Sequence, residues 1–375
     1  MKNELAPTYS FLCGEYWVLW YAVSNSYSIV DSNFKSVLDL YLEAKNEDDF
    51  LMSIKPAVSD QDSQTITNQI RTYLESCNSI IEPENIIDIK LNNAHRYIKK
   101  KYLINEKSIV VYCDSELVLS TIHPQLAHLE TELEIQPDVI FDVYLKNEHL
   151  YMFKNDICIL RTPKKDYHFL RGKFVMHVFC EIYNKKVADW LGTFHGSTVT
   201  DNKSAILFSG ASGSGKSTIS TLLASNGFYL LADDVSPMLA EDRYIYHNPN
   251  GVSIKESASK LLRPLIKGFD NLPTANLNPT KGLIYYHTTT KPSKISYPCK
   301  AIVLVNYKSN ARTDLEEVSI KSILETLIPE SWLSPDPEHA QKFLGWMTKV
   351  KRYKLTYSDT NEMIEMVSDI FREEE

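Results

Sequence analysis

The chain has 375 residues, 43% hydrophobic and 23% charged, which is typical of a folded protein with two or three domains. Its net charge of −8, with no basic block larger than Lys99–Lys101, argues against a general nucleic-acid-binding protein. No apolar stretch reaches the roughly 18 residues of a membrane span and no signal peptide is evident, so we expect a cytoplasmic protein that does not bind membranes. Cys113, Cys158 and Cys180 lie in apolar runs and are expected to be buried thiols.

The first 80 residues predict a small domain of one hairpin and three helices. Two β-prone runs, Tyr16–Tyr21 and Ser26–Val30, flank Ser24 and Asn25 and predict a β-hairpin. Asp31 can cap the first helix, Asp48–Ile54 predicts a second short one, and a third follows. The apolar stripes of the first and third helices are Phe34, Val37, Leu38, Tyr41 and Leu42, and Ile66, Ile70, Tyr73 and Leu74.

This order of elements resembles the PqqD-like, winged-helix precursor-peptide recognition elements. The resemblance implies that residues 1–80 bind an extended leader peptide as an added strand beside the hairpin. A purely structural winged helix or a dimerisation unit fits the same pattern. The role of this domain and a homo-oligomeric state therefore both remain open.

Residues 96–190 predict a β-rich subdomain, after a polar linker at Cys77–Leu91. Polar turns such as Lys146–Glu148 separate its short strands, and a helix is predicted over Tyr167–Ile182. The predicted strands are Ser108–Tyr112, Asp138–Leu145, Leu150–Phe153 and Ile157–Leu160.

The stretch Gly210–Ser217 has the spacing of a phosphate-binding loop, with Gly, four residues, Gly, Lys and Ser. It follows a predicted buried strand, Ala205–Ser209, and precedes a predicted helix, Thr218–Ala224. In this context the loop N–H groups surround phosphate oxygens, Lys216 reaches the β- and γ-phosphates, and Ser217 ligates Mg²⁺. We therefore predict a site for ATP and Mg²⁺ formed by Gly210, Ala211, Ser212, Gly213, Ser214, Gly215, Lys216, Ser217 and Thr218.

Two acidic residues follow the next predicted strand, Phe228–Ala232. Asp233 and Asp234 should face the phosphate loop, because ligands of α/β sheets bind beyond the carboxyl ends of the strands. Adjacent residues on an extended segment point in different directions, so one acid can hold Mg²⁺ while the other meets the attacking group. His195 lies shortly before the loop and, considered alone, fits a structural histidine.

The combination of His-Gly, strand, glycine loop, helix and Leu-Ala-Asp-Asp is similar to the catalytic domain of bacterial HPr kinase/phosphorylases. The match is close over 194–235 and looser beyond it. The resemblance implies an α/β fold class (α+β overall), with a P-loop kinase core at 191–375 preceded by the β-rich subdomain and the winged-helix-like domain.

The same resemblance implies a catalytic role for three residues. His195 and the aspartates would act on a seryl hydroxyl, with Asp233 and Ser217 at the metal and with Asp234 and His195 taking the proton. The split of roles between the two aspartates stays open.

The region after Asp234 predicts further strands and a last helix capped by Asp359. Lys255 and Arg263 are candidates for neutralising phosphate or holding a substrate, and surface cations are the alternative. The predicted strands are Tyr244–Tyr246, Gly251–Lys255, Leu283–Tyr286 and Ala301–Val305.

The predicted function is that of a kinase. The Pro-Gly-Arg stretch of the HPr enzymes is missing, which makes HPr a doubtful substrate. A kinase of this type joined to a peptide-recognition module resembles the serine kinases of lasso-peptide pathways. We expect an ATP-dependent kinase acting on Ser or Thr of a peptide or protein. The alternatives are a kinase for a small hydroxyl compound such as free serine, and a nucleotide-binding regulator that transfers nothing.

Overall fold

The computed structural model describes residues 2–55, 59–80, 89–276 and 282–373, and these form a mixed α/β structure. Its strands are β1 Tyr9–Cys13, β2 Tyr16–Tyr21, β3 Ser26–Asp31, β4 Ile98–Ile104, β5 Lys107–Cys113, β6 Val139–Lys146, β7 His149–Lys154, β8 Ile157–Pro163, β9 Trp190–His195, β10 Ser197–Thr200, β11 Ala205–Ser209, β12 Tyr229–Ala232, β13 Val235–Leu239, β14 Tyr244–Tyr246, β15 Val252–Lys255, β16 Thr274–Ala275, β17 Ile284–His287, β18 Ser296–Tyr307, β19 Asp314–Glu317, β20 Trp332–Leu333 and β21 Lys351–Tyr357. Its helices are α1 Ser32–Glu43, α2 Glu47–Ile54, α3 Asp60–Cys77, α4 Glu116–Leu119, α5 His123–Leu126, α6 Tyr167–Ile182, α7 Lys216–Ala224, α8 Glu256–Leu262, α9 Ile320–Leu327, α10 Pro337–Met347 and α11 Thr360–Arg372.

The chain divides into two compact units. The first comprises Met1–Pro83 and Val318–Arg352, and the second comprises Glu84–Glu317 and Tyr353–Glu375. Among the residues with a described structure, no helix has both the length and the apolar character needed to cross a bilayer.

The first unit contains the predicted hairpin and three helices. Strands β2 and β3 pair around Asn25, and Asp31 caps α1 by accepting a hydrogen bond from the Phe34 N–H at 2.8 Å. These predictions are confirmed, but the sequence analysis missed β1, which pairs with β2 and makes the sheet three-stranded. The segment 318–352 joins the same unit, where Tyr27 meets Phe343 edge to face at 5.4 Å. The hydrophobic core of the hairpin and three helices contains Leu19, Tyr21, Leu38, Phe50, Ile70 and Leu74.

The β-rich region of the second unit is a five-stranded sheet in the order β4-β5-β6-β7-β8. Four of these strands and α6 were predicted, and β4 was missed. Asn147 and Glu148 adopt positive φ angles of 50° and 58° in the tight turn between β6 and β7, as expected of a hairpin turn. The predicted linker at 77–91 lies largely outside the described residues. The predicted burial of three thiols, those of Cys113, Cys158 and Cys180, is confirmed.

A larger sheet in the second unit carries the glycine loop. Its strands run in the order β12-β10-β11-β18-β14-β13-β9, and β21 also pairs with β18. Strands β11 and β12 are each antiparallel to β10, so both end at the same edge of the sheet. The loop after β11 and the two aspartates after β12 therefore emerge side by side. The apolar layer behind them contains Phe208, Ile219, Leu223, Val303, Leu355, Met363 and Val367.

Gly196 joins β9 to β10 where the backbone of β11 passes very close. A Cβ at this position would lie 2.5 Å from the Phe208 carbonyl oxygen and 2.9 Å from Leu207 Cδ1. A Cβ at Gly172, in helix α6, would meet nothing within 4 Å.

We predict that Gly196→Ala lowers the free energy of unfolding by about 1–3 kcal/mol, because the strands must separate to admit the methyl group. Gly172→Ala is the matched control, and it should raise that free energy by about 0.5–1 kcal/mol because alanine costs less backbone entropy in a helix. Thermal and denaturant unfolding of the two variants would measure both changes. Two changes of the same sign would contradict the close approach at Gly196.

Candidate active site

The glycine loop has the backbone of an anion-binding turn. Gly210 and Gly215 adopt φ angles of 149° and 104°. A residue with a side chain would be strained at either position, so glycine is favoured at both. A Cβ on Gly210 would also lie 2.7 Å from Ser214 Oγ. Helix α7 begins directly after Gly215 and no side chain caps its first turn, so its N–H groups are available to an anion.

The side chain of Lys216 lies across the loop. Its Nζ donates to the carbonyl oxygens of Gly210 at 2.7 Å and Ala211 at 3.2 Å, and the residue is almost fully buried. Ser214 Oγ is buried and has no hydrogen-bond partner within the described structure. A buried cation and an orphaned hydroxyl in one loop fit a bound phosphate group, which accepts hydrogen bonds from both.

The carboxylate of Asp233 is buried under this loop and fully engaged. Oδ1 accepts hydrogen bonds from the hydroxyls of Ser217, at 2.9 Å, and Ser197. Oδ2 accepts from the N–H and hydroxyl of Ser253, at 2.9 and 3.1 Å. Burial raises the pKa of Asp233, and the hydrogen bond from Ser197 opposes that rise. Ser217 and Asp233 are oxygen ligands side by side, which is the donor chemistry that Mg²⁺ prefers.

Asp234 points away from Asp233 because the backbone turns sharply between them. The N–H of Val235 donates to the Asp233 carbonyl at 2.8 Å, and Asp234 has a positive φ of 65°. A non-glycine residue in this region costs on the order of 1–3 kcal/mol, a strain found most often at functional sites. The half-exposed carboxylate of Asp234 lies 3.5 Å from Nδ1 of His195. The structure thus brings His195 and Asp234 together, and Ser217 and Asp233 together.

Arg171 is a member of the site that the sequence analysis missed. Its Nη2 lies 3.8 Å from Asp234 Oδ2 and donates to Gln125 Oε1 at 2.9 Å. Tyr286 is close enough that the Arg171 guanidinium opposes the rise in the pKa of Tyr286 caused by burial. In the sequence, Arg171 is a single arginine next to the apolar stripe of a predicted helix. Such a residue is expected to be a charged surface side chain, so nothing in the sequence marks it as part of a site.

The two cationic candidates downstream of the loop lie in different places. Lys255, at the end of β15, donates from Nζ to Ser212 Oγ of the loop at 3.4 Å. Arg263 pairs with Asp270 and lies over the Phe269 ring at 4.9 Å. Lys255 is therefore positioned to meet a phosphate group on the loop, and Arg263 has a local structural partner.

A shallow, open groove of about 530 Å³ lies along one face of α3 in the first unit, and the residues that line it all belong to this helix. Tyr73 connects it to the sheet, since its hydroxyl donates to Ser28 Oγ on β3 at 2.9 Å. Within the described residues, β3 is an edge strand of that sheet. The residues lining the groove are Thr65, Asn68, Gln69, Thr72, Tyr73 and Ser76.

The comparisons with known proteins add little to this geometry. The comparison with family models finds no match, and neither does the comparison with curated proteins. Among solved structures, the chain is similar to the Hpr(Ser) kinase/phosphatase from Coxiella burnetii, at 13% sequence identity and a TM-score of 0.24. The match covers 48% of this chain and 88% of that chain. A likeness this weak carries no argument, so the function is inferred from the site itself.

We predict that Lys216→Ala weakens the binding of Mg²⁺–ATP by roughly 10- to 150-fold, the loss expected for one buried charge-assisted hydrogen bond. Calorimetry on the wild type and the variant would measure it. Lys203→Ala, which removes an exposed lysine from the same unit, is the matched control and should bind as the wild type does. Equal affinities for wild type and Lys216→Ala would rule out a phosphate site at this loop.

Proposed function

We propose that this protein is an ATP-dependent kinase that phosphorylates a Ser or Thr hydroxyl of a peptide or protein. The observation that carries the proposal is the pairing of two acid-containing clusters beside one glycine loop. Ser217 with Asp233 forms an oxygen-ligand pair at the start of α7, and His195 with Asp234 forms an acid–base pair at the neighbouring strand ends.

The loop side of the site would hold the nucleotide. Bound Mg²⁺–ATP supplies the γ-phosphoryl group and a cation that neutralises its charge. The N–H groups of the first turn of α7, the orphaned Ser214 hydroxyl and Lys216 would bind the phosphate oxygens. Ser217 and Asp233 would hold the metal ion. Lys255 would add a second cation at the outer part of the loop.

The other side would activate the acceptor. Asp234 is half exposed, so a substrate hydroxyl can reach its carboxylate, and His195 can share the proton that the hydroxyl loses. Arg171 Nη2 lies 3.8 Å from Asp234 Oδ2, close enough to help hold that carboxylate in place. A regulator that only binds nucleotide has no use for such a pair, which is why we favour transfer to a hydroxyl.

The groove along α3 favours a peptide over a small metabolite as acceptor. An edge strand, β3, lies beside a groove with a polar lining, and an extended peptide can pair with such an edge through its backbone. This arrangement supports the proposal that residues 1–80 are a PqqD-like peptide-recognition domain. With it we propose the finer assignments: a β-rich subdomain at 96–190, an HPr kinase-like core at 191–375, a cytoplasmic location and a possible homo-oligomer.

A screen with radiolabelled ATP tests the proposal directly. The acceptors would be a library of Ser- and Thr-containing peptides, free serine, and buffer alone. Label in peptides supports the proposal, and label in free serine alone would transfer it to the small-molecule alternative. Tight ATP binding with no labelled acceptor of either kind would favour the regulator.

We predict that Asp234→Asn and His195→Ala each slow transfer to the best acceptor by roughly 10²–10⁴-fold while ATP affinity stays at the wild-type value. The reason is that the pair acts on the acceptor proton and does not touch the nucleotide. Single-turnover transfer and ATP calorimetry would measure the two effects separately. Glu241→Gln, an exposed acid of the same unit, is the control and should change neither. Wild-type transfer by Asp234→Asn would contradict its role.

A groove-blocking variant tests the peptide site. We predict that Thr72→Trp lowers kcat/KM for a long acceptor with an N-terminal extension and leaves kcat/KM unchanged for a short acceptor fragment. The bulky ring obstructs this shallow groove, and only the long peptide benefits from remote binding. Glu75→Trp places the same ring on an exposed position of α3 outside the groove and is the matched control. An equal effect on both acceptors would leave this unit without a role in recognition.

A further inference from the structure

An aromatic side chain lies exposed at the rim of the glycine loop. Tyr307 is the last residue of β18. This strand pairs in parallel with β11, which lies between β10 and β18 in the sheet. Its side chain is exposed, with the residue at 54% relative accessibility. A Cβ placed on Gly215 would lie 3.7 Å from the Tyr307 Cβ, so the ring begins directly beside the residue that precedes α7.

The backbone holds this tyrosine against the loop. The N–H of Tyr307 donates to the Ser214 carbonyl at 3.4 Å, and the N–H of Lys308 donates to the Tyr357 carbonyl at 3.1 Å. Tyr357 is buried, and its ring meets that of Tyr307 at 5.5 Å with an interplanar angle of 69°. An edge-to-face contact of this kind fixes the orientation of the exposed ring while its outer surface stays open to solvent.

The position of the ring relative to the acids indicates what could cover it. The Asp233 and Asp234 pair follows β12, on the β10 side of the loop, whereas Tyr307 and Tyr357 lie on the β18 side. A nucleotide whose reacting phosphate faces the acids must direct its sugar and base away from them. The base would then meet the protein on the opposite flank of the loop, where the exposed aromatic ring of Tyr307 lies.

We propose that Tyr307, supported by Tyr357, is the stacking platform for the nucleobase of the bound nucleotide. This inference rests on the proposed function, because it assumes a nucleoside triphosphate on the loop. Stacking on an aromatic side chain accepts any base and contributes about 1–3 kcal/mol, which corresponds to about 5- to 150-fold in affinity. The platform therefore predicts tight binding of nucleotides with limited discrimination between bases.

The test compares a ligand that has a base with one that lacks it. Calorimetry would measure the binding of Mg²⁺–ATP and of magnesium tripolyphosphate to the wild type, Tyr307→Ala and Tyr307→Phe. We expect Tyr307→Ala to weaken the binding of Mg²⁺–ATP by about 5- to 150-fold and to leave the affinity for tripolyphosphate unchanged. Tyr307→Phe keeps the ring and should retain wild-type affinity for both. Tyr97→Ala, which removes a more exposed tyrosine of the same unit, is the control.

The other outcomes overturn the inference in distinguishable ways. If Tyr307→Ala loses affinity for ATP and for tripolyphosphate by the same factor, the ring only supports the loop. Unchanged ATP binding would place the base elsewhere and leave Tyr307 as a surface residue or an acceptor contact. Wild-type protein that binds neither ligand would remove the proposed function itself. If Tyr307→Ala does not fold, Tyr307→Trp gives a second test, since ATP should quench its added fluorescence and tripolyphosphate should not.

Discussion

The site depends on one buried carboxylate. Asp233 is almost fully removed from water, a condition that strongly favours the neutral acid unless hydrogen bonds compensate for the lost solvation. Three serines provide that compensation, from β10, from α7 and from β15. Because each serine belongs to a different element, satisfying the carboxylate also aligns the glycine loop with the strands beside it. The proposed metal ligands, Ser217 and Asp233, are brought together by this same alignment.

The second constraint is the turn that follows. Two adjacent carboxylates repel each other when both are charged, and Asp234 indeed contributes to raising the pKa of Asp233. Asp234 adopts a positive φ, and its side chain lies beside His195 and Arg171. Gly196 permits the approach of β9 and β10 to β11 that places His195 next to this turn. The strained turn at Asp234 and the close contact at Gly196 therefore act together. As a result, Asp233 contacts serines, whereas Asp234 lies beside His195 and Arg171.

What the sequence could predict was local. Caps such as Asp31 and Asp359, the turn at Lys146–Glu148 and the strand–loop–helix order around Gly210–Ser217 depend on residues close together in the chain. The two adjacent acids were expected to diverge as neighbours on an extended segment, whereas in the structure a sharp turn at Asp234 follows Asp233. Arg171 and Tyr307 could not be found in this way, because their relevance comes from long-range packing. The same holds for the segment 318–352, which joins a unit formed by residues far from it in the chain. The strand β1 is different, because it pairs with β2 in a local hairpin across Gly14 and Glu15 and was missed although its signal lies nearby.

A glycine loop alone says little about chemistry, since kinases, switches and transporters all bind phosphate in this way. What distinguishes this one is the asymmetry of its surroundings. On the β12 side lie a satisfied buried acid, a strained exposed acid, a histidine and an arginine, all within reach of a developing charge. On the β18 side lies the aromatic pair of Tyr307 and Tyr357, whose rings contact each other edge to face. The proposed transfer site and the proposed nucleoside platform therefore lie on opposite flanks of the same loop.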